Sequence, residues 1–245
     1  MGSALQPGAR QLFVREDAGG EARWLQPKEI NPEAWGRIIE SVRPSGLGLD
    51  IPATEKAVKR LGQACGHQLD WSTVRRLVLG SWPAVKDRVM ALERLSFGEK
   101  NVFDEARMER IFTDPAGVNL MLDRGGELAG FLYGGPLERP HFADLEQVKS
   151  DPHYGEHNTF YGGAIAVHPD FRGRGLSRLL LDGLWGVLRD MQSPEGIQYK
   201  FFSARTEADS PMTRMFRRMG ANIKVIAGGY AKTGEDMAYI TLAIY

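Results

Sequence analysis

Residues 164–177 of this chain read AIAVHPDFRGRGLS, and they contain the clearest structural signal in the sequence. An apolar strand ends at Pro169, a glycine-rich turn follows, and an amphipathic helix begins at Leu176. Such a turn leaves several backbone N–H groups at the N-terminus of a helix, where they and the helix dipole favour a phosphate group. Gly173 and Gly175 permit left-handed backbone angles and a close approach by a pyrophosphate. The pattern therefore predicts a phosphate-binding turn, although an ordinary strand-to-helix loop has the same composition.

Three arginines surround the predicted turn and add positive charge to it: Arg172, Arg174 and Arg178. Two other kinds of phosphate-binding loop are excluded. The stretch lacks the Gly-Lys-Ser/Thr that closes a Walker A loop, and it lacks the third glycine of the dinucleotide-binding fingerprint.

Strands and helices alternate around this stretch. Residues 118–122 and 128–133 flank a turn with two glycines and predict a β-hairpin, and the polar segment 135–158 predicts a long loop. The other predicted elements are strand 159–167, helix 176–191, strand 199–203, helix 212–219 and strands near 223–226 and 238–245. This alternation, closed by an antiparallel pair, predicts an α/β (α+β) domain with a mixed sheet.

The N-terminal third has a different pattern. Residues 11–15 and 21–25 flank a glycine-containing turn and predict another hairpin. The predicted helices are 32–42, 54–66, 71–79, one on which Val85, Val89, Leu92 and Leu95 share a face, and 103–112. We divide the chain into a hairpin and helical extension, residues 1–82, which can also supply the first strand of the sheet, and a second domain, residues 83–245.

The composition argues against several classes of function. The 245 residues hold 31 Lys+Arg and 31 Asp+Glu, so no overall field attracts nucleic acid or a membrane surface. The single cysteine, Cys65, excludes an internal disulfide framework, and five scattered histidines give little support to a metal site. No apolar run approaches the roughly 18 residues of a membrane span, and the N-terminus has no apolar signal core. We expect a cytoplasmic monomer or homodimer that uses no metal, nucleic acid or membrane.

Residues 167–177 resemble the acyl-CoA signature of the GNAT superfamily of N-acetyltransferases. In that signature, Gln/Arg-x-x-Gly-x-Gly/Ala follows a strand that ends in Val-x-Pro. Arg172 and Gly175 match it, and Ser177 stands where Gly or Ala is usual. The order of elements strengthens the resemblance, which covers about residues 83–245. It implies a GNAT-like acyl-CoA N-acyltransferase fold, with acetyl-CoA as co-substrate.

The resemblance also implies which residues bind coenzyme A. The turn would hold the pyrophosphate through Arg172 and the backbone amides of Gly173, Arg174, Gly175, Leu176, Ser177 and Arg178. The preceding strand would pair with the pantetheine arm and orient the acetyl carbonyl through Ile165, Ala166 and Val167. A second block, residues 209–221, aligns with Asn-x-x-Ala-x-x-Leu-Tyr-x-x-x-Gly-Phe. In it Asp209 replaces the Asn that contacts pantetheine, and Phe216 replaces the Tyr that protonates the departing thiolate.

The sequence leaves the groups that move protons open. Phenylalanine has no proton to give, so water or a tyrosine such as Tyr161 would protonate the thiolate. An amine of pKa about 10 must lose a proton before it attacks a thioester, and the candidate bases are Glu138, Glu156 and His157, with Tyr161 as a further candidate on the strand. The two glutamates are also consistent with ordinary charged residues of an exposed loop, and Tyr161 is also consistent with a residue packed in the core. We expect Gly162 and Gly163 to thin the strand and open room for the substrate.

The leading hypothesis is an N-acetyltransferase that moves an acetyl group from acetyl-CoA directly to a primary amine of a small molecule or a protein. The alternative is a non-catalytic acyl-CoA-binding or sensor module, or a protein-interaction module, on the same fold. Phe216 and a signature strand without an acid or histidine favour the alternative.

Overall fold

The computed structural model describes residues 10–18, 21–25, 69–124, 127–139, 141–142, 146–230 and 234–244. The strands of this part are β1 (Arg10–Ala18), β2 (Glu21–Leu25), β3 (Leu69–Arg76), β4 (Val118–Arg124), β5 (Glu127–Pro136), β6 (Thr159–Val167), β7 (Phe201–Glu207), β8 (Asn222–Tyr230) and β9 (Glu235–Ala243). Its helices are α1 (Trp82–Asn101), α2 (Glu105–Thr113), α3 (Glu146–Lys149), α4 (Leu176–Asp190) and α5 (Pro211–Arg218). The helices predicted for 32–42 and 54–66 lie outside the described residues.

The nine described strands form one mixed sheet in the order β2-β1-β3-β4-β5-β6-β7-β9-β8. Neighbouring strands are antiparallel except for β6 and β7, which are parallel. A parallel pair requires a crossover, and α4 lies in the connection between these two strands. The predicted mixed α/β sheet is therefore confirmed.

Helices pack on both faces of the sheet. On β5, Leu132 joins the core under α4 and α5, whereas Phe131 and Tyr133 join the core under α1 and α2. This alternation is the period of two of a strand. Leu180 and Leu184 of α4 are fully buried, as their helical spacing predicts. None of the described helices is long and apolar enough to cross a membrane.

The N-terminal hairpin belongs to the same sheet as the rest of the described chain. β1 and β2 pair antiparallel, as predicted, and β1 also pairs with β3. β3 in turn pairs with β4. The sheet therefore runs across the proposed boundary at residue 82, and the division into two domains stays a prediction.

The helix predicted for residues 71–79 is wrong, because Leu69–Arg76 forms strand β3. Val74 is fully buried on the α4 side of the sheet. The next side chain, Arg75, reaches the opposite face and donates from Nε to Asp123 Oδ2 over 2.9 Å. Pairing with β4 and burial under α4 override the helical spacing that the sequence shows.

Substitution of Val74 by alanine tests this strand. Val74→Ala should lower the free energy of unfolding by roughly 1–3 kcal/mol, because packing is lost and a cavity remains. Val78→Ala is the matched control. Because Val78 is 47% exposed, this substitution should lower the free energy of unfolding by less than about 0.5 kcal/mol. Positions 74 and 78 would share one face of a helix. If the two substitutions lowered the free energy of unfolding in urea equally, the helix would be favoured over the strand.

Candidate functional site

Strands β6 and β7 part halfway along their length, and the gap between them is the centre of the candidate site. Their parallel ladder runs from Thr159↔Phe201 to Gly162↔Ala204, although β6 continues to Val167 and β7 to Glu207. Beyond the ladder, β6 stays paired with β5, and β7 stays paired with β9. Each strand therefore presents one backbone edge to the gap.

A β-bulge in β6 lies where the gap begins. Tyr133 of β5 pairs with Ala164 and Gly134 pairs with Gly162, so Gly163 is the extra residue. A bulge bends its strand and increases the local twist. This bend carries the rest of β6 away from β7.

The two glycines at the bulge accommodate aromatic rings. A Cβ atom on Gly163 would lie 2.7 Å from the ring of Tyr133, and one on Gly162 would lie 2.6 Å from the ring of Phe202. Aromatic side chains thus fill the space that we expected the glycines to leave for the substrate. That expectation is wrong.

The hydrogen-bond phase of β6 determines which backbone groups face the gap. The N–H of His168, just after β6, donates to a carbonyl of β5 over 2.9 Å. Because bonding alternates along an antiparallel pair, the backbone groups of Ala166 point toward β5, and those of Ile165 and Val167 point into the gap. The C=O of Val167 accepts from Arg172 Nε over 3.0 Å. Ile165 therefore offers both its N–H and its C=O to the gap.

The turn after β6 has the geometry of an anion-binding site. Gly173 and Gly175 adopt left-handed φ angles of 75° and 73°. Gly175 is the N-cap of α4, and no side chain caps this helix. The described part of the chain provides no acceptor for the amides of residues 173–177, whereas the Arg178 N–H donates to the Gly175 C=O over 3.0 Å. The turn thus presents a set of amide donors at the positive end of the helix dipole.

Cationic side chains surround this turn. The Arg174 guanidinium lies 6.0 Å from the centre of the Phe171 ring, and that of Arg124 lies 5.4 Å from the same ring. Arg178 forms an ion pair with Asp182 over 2.9 Å, so its charge is partly compensated. Sequence reasoning missed Arg124, because pairing of β4 with β5, and not proximity in sequence, places it beside the turn.

The second block of the resemblance begins just after β7 and contains α5. Asp209 is exposed before the helix, and Ser210 caps α5 by accepting from the Thr213 N–H over 3.1 Å. Phe216 is buried and stacks on Phe202 with 5.4 Å between the ring centroids. Its ring is therefore part of the core between α5 and the sheet.

The two glutamates proposed as bases lie in the loop before β6. Glu138 Oε1 accepts from the backbone N–H groups of Gly155 and His157, each over 3.2 Å. Glu156 accepts from Asn158 Nδ2 over 2.8 Å, and this hydrogen bond, with a further one from His153, lowers the pKa of its carboxyl. The Glu156 side chain is about half exposed. Glu138 thus fastens the loop, and Glu156 is an ionised group near the surface.

Tyr161 is buried on the α1–α2 side of β6, beside a hydroxyl network. The buried Asp151 carboxylate accepts from Ser203 Oγ over 2.6 Å and from the Tyr239 hydroxyl over 2.8 Å. Ser203 is the residue of β7 that pairs with Tyr161. Burial and then the charge of Asp151 raise the pKa of Tyr239, so its phenol stays protonated. The loop between β5 and β6 thus reaches the sheet through Asp151.

Sequence reasoning also missed Glu93 of α1, a carboxylate that is only 2% exposed. Its Oε1 lies 3.4 Å from the Tyr133 hydroxyl, and its Oε2 is buried without a hydrogen-bond partner among the described residues. Burial raises the pKa of Glu93 to about 7, against hydrogen bonds from Tyr133 and the backbone of Phe103 that lower it. The signal was present in the sequence, because Glu93 follows Val85 and Val89 at four-residue spacing on the buried face of the helix.

Comparisons with known proteins agree with this geometry. A family model described as the Acetyltransferase (GNAT) family matches residues 82–221. The ribosomal-protein-S18-alanine N-acetyltransferase from Escherichia coli is 19% identical, with a TM-score of 0.51 over 71% of this chain and 94% of its own. NAA60 from Arabidopsis thaliana, solved in complex with acetyl-CoA, is 17% identical, with a TM-score of 0.53 over 71% and 98%. At these identities the likeness shows the fold.

A third solved structure, the GphF GNAT-like decarboxylase in complex with isobutyryl-CoA, is 18% identical, with a TM-score of 0.52 over 70% of this chain and 99% of its own. No curated protein sequence matches the chain significantly. The fold that these structures share therefore accompanies more than one reaction.

Gly175 and Gly186 give a matched pair at one helix. At Gly186 no atom lies within 4 Å of an added Cβ, so alanine does not clash there. Gly175→Ala should lower the free energy of unfolding by about 1–2 kcal/mol, because its φ of 73° is left-handed. Gly186→Ala should raise it by about 0.5–1 kcal/mol, because alanine favours a helix interior. Urea unfolding measures both, and a stabilising Gly175→Ala would contradict the left-handed turn.

Proposed function

Because the chain belongs to the GNAT acetyltransferase family, we propose that it moves an acetyl group from acetyl-CoA directly to a primary amine of a small molecule or a protein. The observation that carries the proposal is the junction of the parted strands β6 and β7 with an uncapped, glycine-rich turn. The solved relatives support an acyl-CoA ligand, since NAA60 is bound to acetyl-CoA and the GphF enzyme to isobutyryl-CoA.

Coenzyme A is proposed to bind along the turn and the gap. The amides of residues 173–177 hold the pyrophosphate, and Arg174 and Arg124 add charge. A hydrogen bond to a charged group contributes about 1.5–3 kcal/mol. The pantetheine arm pairs with the N–H and C=O of Ile165 as an added strand would. Asp209 and Phe216 belong to the α5 side of the gap.

The transfer is proposed to depend on positioning and on backbone electrostatics. The amine nitrogen attacks the thioester carbon, the C–N bond forms, and the C–S bond breaks as coenzyme A leaves as a thiolate. Negative charge develops on the carbonyl oxygen during the attack, and an N–H on the free edge of β6 stabilises it. Holding both substrates in one cleft removes much of the entropic barrier.

Tyr161, Glu138 and Glu156 remain proposals for proton transfer. Tyr161 lies two residues before the bulge, and its phenol suits the donor that Phe216 does not provide. Glu156 is ionised and exposed, so it would accept a proton through water, and its lowered pKa makes it a weak base. Glu138 accepts hydrogen bonds from two backbone amides of the loop, so we assign it to positioning that loop.

One observation favours a non-catalytic acyl-CoA-binding module as the second candidate. Phe216 occupies the place of the usual acid, and its ring is packed against Phe202. Such a module would keep the turn and the gap and would release no thiol.

The other expectations from the sequence also stay proposals. We propose a cytoplasmic monomer or homodimer, without metal, nucleic acid or membrane partners. Residues 1–82 would extend a transferase domain at residues 83–245, with β1 and β3 joined to its sheet.

The turn is tested by acetyl-CoA binding in isothermal titration calorimetry. Arg172→Glu and Gly175→Glu should each weaken binding at least tenfold, because each places a negative charge at the proposed pyrophosphate site. Arg189→Glu, an exposed change near the other end of α4, is the matched control and should keep the wild-type Kd. Wild-type affinity in both turn variants would refute the assignment of the site.

Catalysis is tested by release of free thiol from acetyl-CoA. The wild-type protein should release thiol in the presence of at least one member of a panel of small primary amines and peptides with free N-termini. The acetylated product should form in equal amount by mass spectrometry. Tight acetyl-CoA binding without thiol release across several acyl-CoAs and the whole panel would instead support the non-catalytic module.

A further inference from the structure

A buried polar cluster between α1 and β5 is not used by the chemistry proposed above. It consists of Glu93, Ser96 and Tyr133. Ser96 lies three residues after Glu93 and therefore shares its face of the helix. In the described part of the chain, neither Glu93 Oε2 nor Ser96 Oγ has a hydrogen-bond partner, although both atoms are buried. Buried polar atoms without partners are costly and point to a missing ligand or water.

Tyr133 connects this cluster to the gap between β6 and β7. Its hydroxyl lies 3.4 Å from Glu93 Oε1, and its ring lies against Gly163, the bulged residue where the gap begins. The Tyr133 side chain thus lies against both the carboxylate and the residue at which the gap begins. The cluster therefore lies beside the start of the gap, on the α1–α2 side of the sheet.

The groups that face Glu93 and Tyr133 come from four elements. Ser96 lies on α1 and the Tyr133 hydroxyl on β5. Arg107 of α2 and Tyr161 of β6 act electrostatically on Tyr133, and the Arg107 guanidinium lies 3.9 Å above the Phe103 ring. Burial and then the charge of Glu93 raise the pKa of Tyr133, so this phenol stays protonated and donates. No cation in the described part of the chain forms an ion pair with Glu93, so a cationic ligand would supply one.

We propose that Glu93, with Ser96 and Tyr133, forms the inner end of the acceptor site, where its carboxylate binds the primary ammonium group of the acceptor and takes one of its protons. This inference rests on the proposed function and adds the group that accepts the proton. A buried carboxylate attracts an ammonium ion strongly, because the surroundings solvate neither charge well.

The ammonium ion carries three protons on its nitrogen, and each has a separate destination. One proton passes to the Glu93 carboxylate, which leaves a neutral amine with a lone pair. That pair forms the C–N bond while the C–S bond breaks and its electrons leave on sulfur. A second proton passes from nitrogen to the thiolate, and the third stays on the amide. Glu93 then returns its proton to water, so the net products are amide, free thiol and one proton.

The test uses n-propylammonium as a probe, with n-propanol as its neutral counterpart, and measures binding to the full chain by saturation-transfer NMR with coenzyme A present. The pKa of Glu93 is about 7, and the ammonium ion stays protonated throughout the range used. Ammonium affinity should therefore rise about tenfold from pH 6 to pH 8, as the carboxyl ionises. Affinity for n-propanol should not change.

The variants separate a ligand from a structural residue. Glu93→Gln should bind n-propylammonium at least tenfold more weakly than the wild type at pH 8, and this affinity should not change with pH. Its Kd for coenzyme A should stay unchanged. Glu99→Gln, an exposed change on the same helix, is the matched control and should behave as the wild type.

Three results would each overturn the inference: no ammonium binding to the wild type at pH 8, binding that does not depend on pH, or equal binding to Glu93→Gln. The wild-type pH profile needs no variant, so it decides the question even if Glu93→Gln does not fold. Failure of coenzyme A to bind would refute the proposed function instead. The same titration in the protein without coenzyme A would still report on Glu93.

Discussion

A single extra residue in β6, Gly163, turns the strand away from β7 while its pairing with β5 continues, and the geometry of the site follows from that turn. A regular ladder through residue 167 would use the Ile165 backbone groups to bond β7 and would leave no edge for a ligand. The bulge also sets the direction in which the chain leaves β6 toward Gly173 and Gly175. The free edge and the amide-lined turn are therefore consequences of one local irregularity.

The sheet divides the site into two chemically different halves. The helix after the turn, α4, buries its leucines on one face and exposes amides at its N-terminus, which suits a polyphosphate. The opposite face, under α1 and α2, holds the buried carboxylates Glu93 and Asp151 with the phenols of Tyr133 and Tyr239. The turn favours an anion, and the buried carboxylate that we propose as the ammonium ligand would favour a cation on the opposite face of the sheet. Such a division suits transfer from a phosphorylated carrier to an amine.

The parts of the fold that the sequence predicts are those with strong local signals. The strand 159–167, the leucine face of α4 and the glycine turn are encoded within a few neighbouring residues, and the structure has them at those positions. β3 could not be recognised, because its alternation appears only when Val74 meets α4 and Arg75 meets Asp123. The same reason hides Arg124, which pairing across the sheet places beside the turn. Glu93 is different, since its helical spacing with Val85 and Val89 was visible.

The buried carboxylate of Glu93 changes how the absence of a tyrosine at position 216 is interpreted. A thiol of pKa about 8.5 leaves without much help near neutral pH, whereas an ammonium ion of pKa about 10 cannot attack until a proton is removed. In the proposed reaction, loss of the acid is therefore the smaller cost, and the base is the group that is needed. A carboxylate whose burial raises its pKa to about 7 takes a proton far more readily than an exposed glutamate. In the proposed reaction, the position that departs from the family pattern thus concerns the easier proton transfer, and the cluster proposed at Glu93 concerns the harder one.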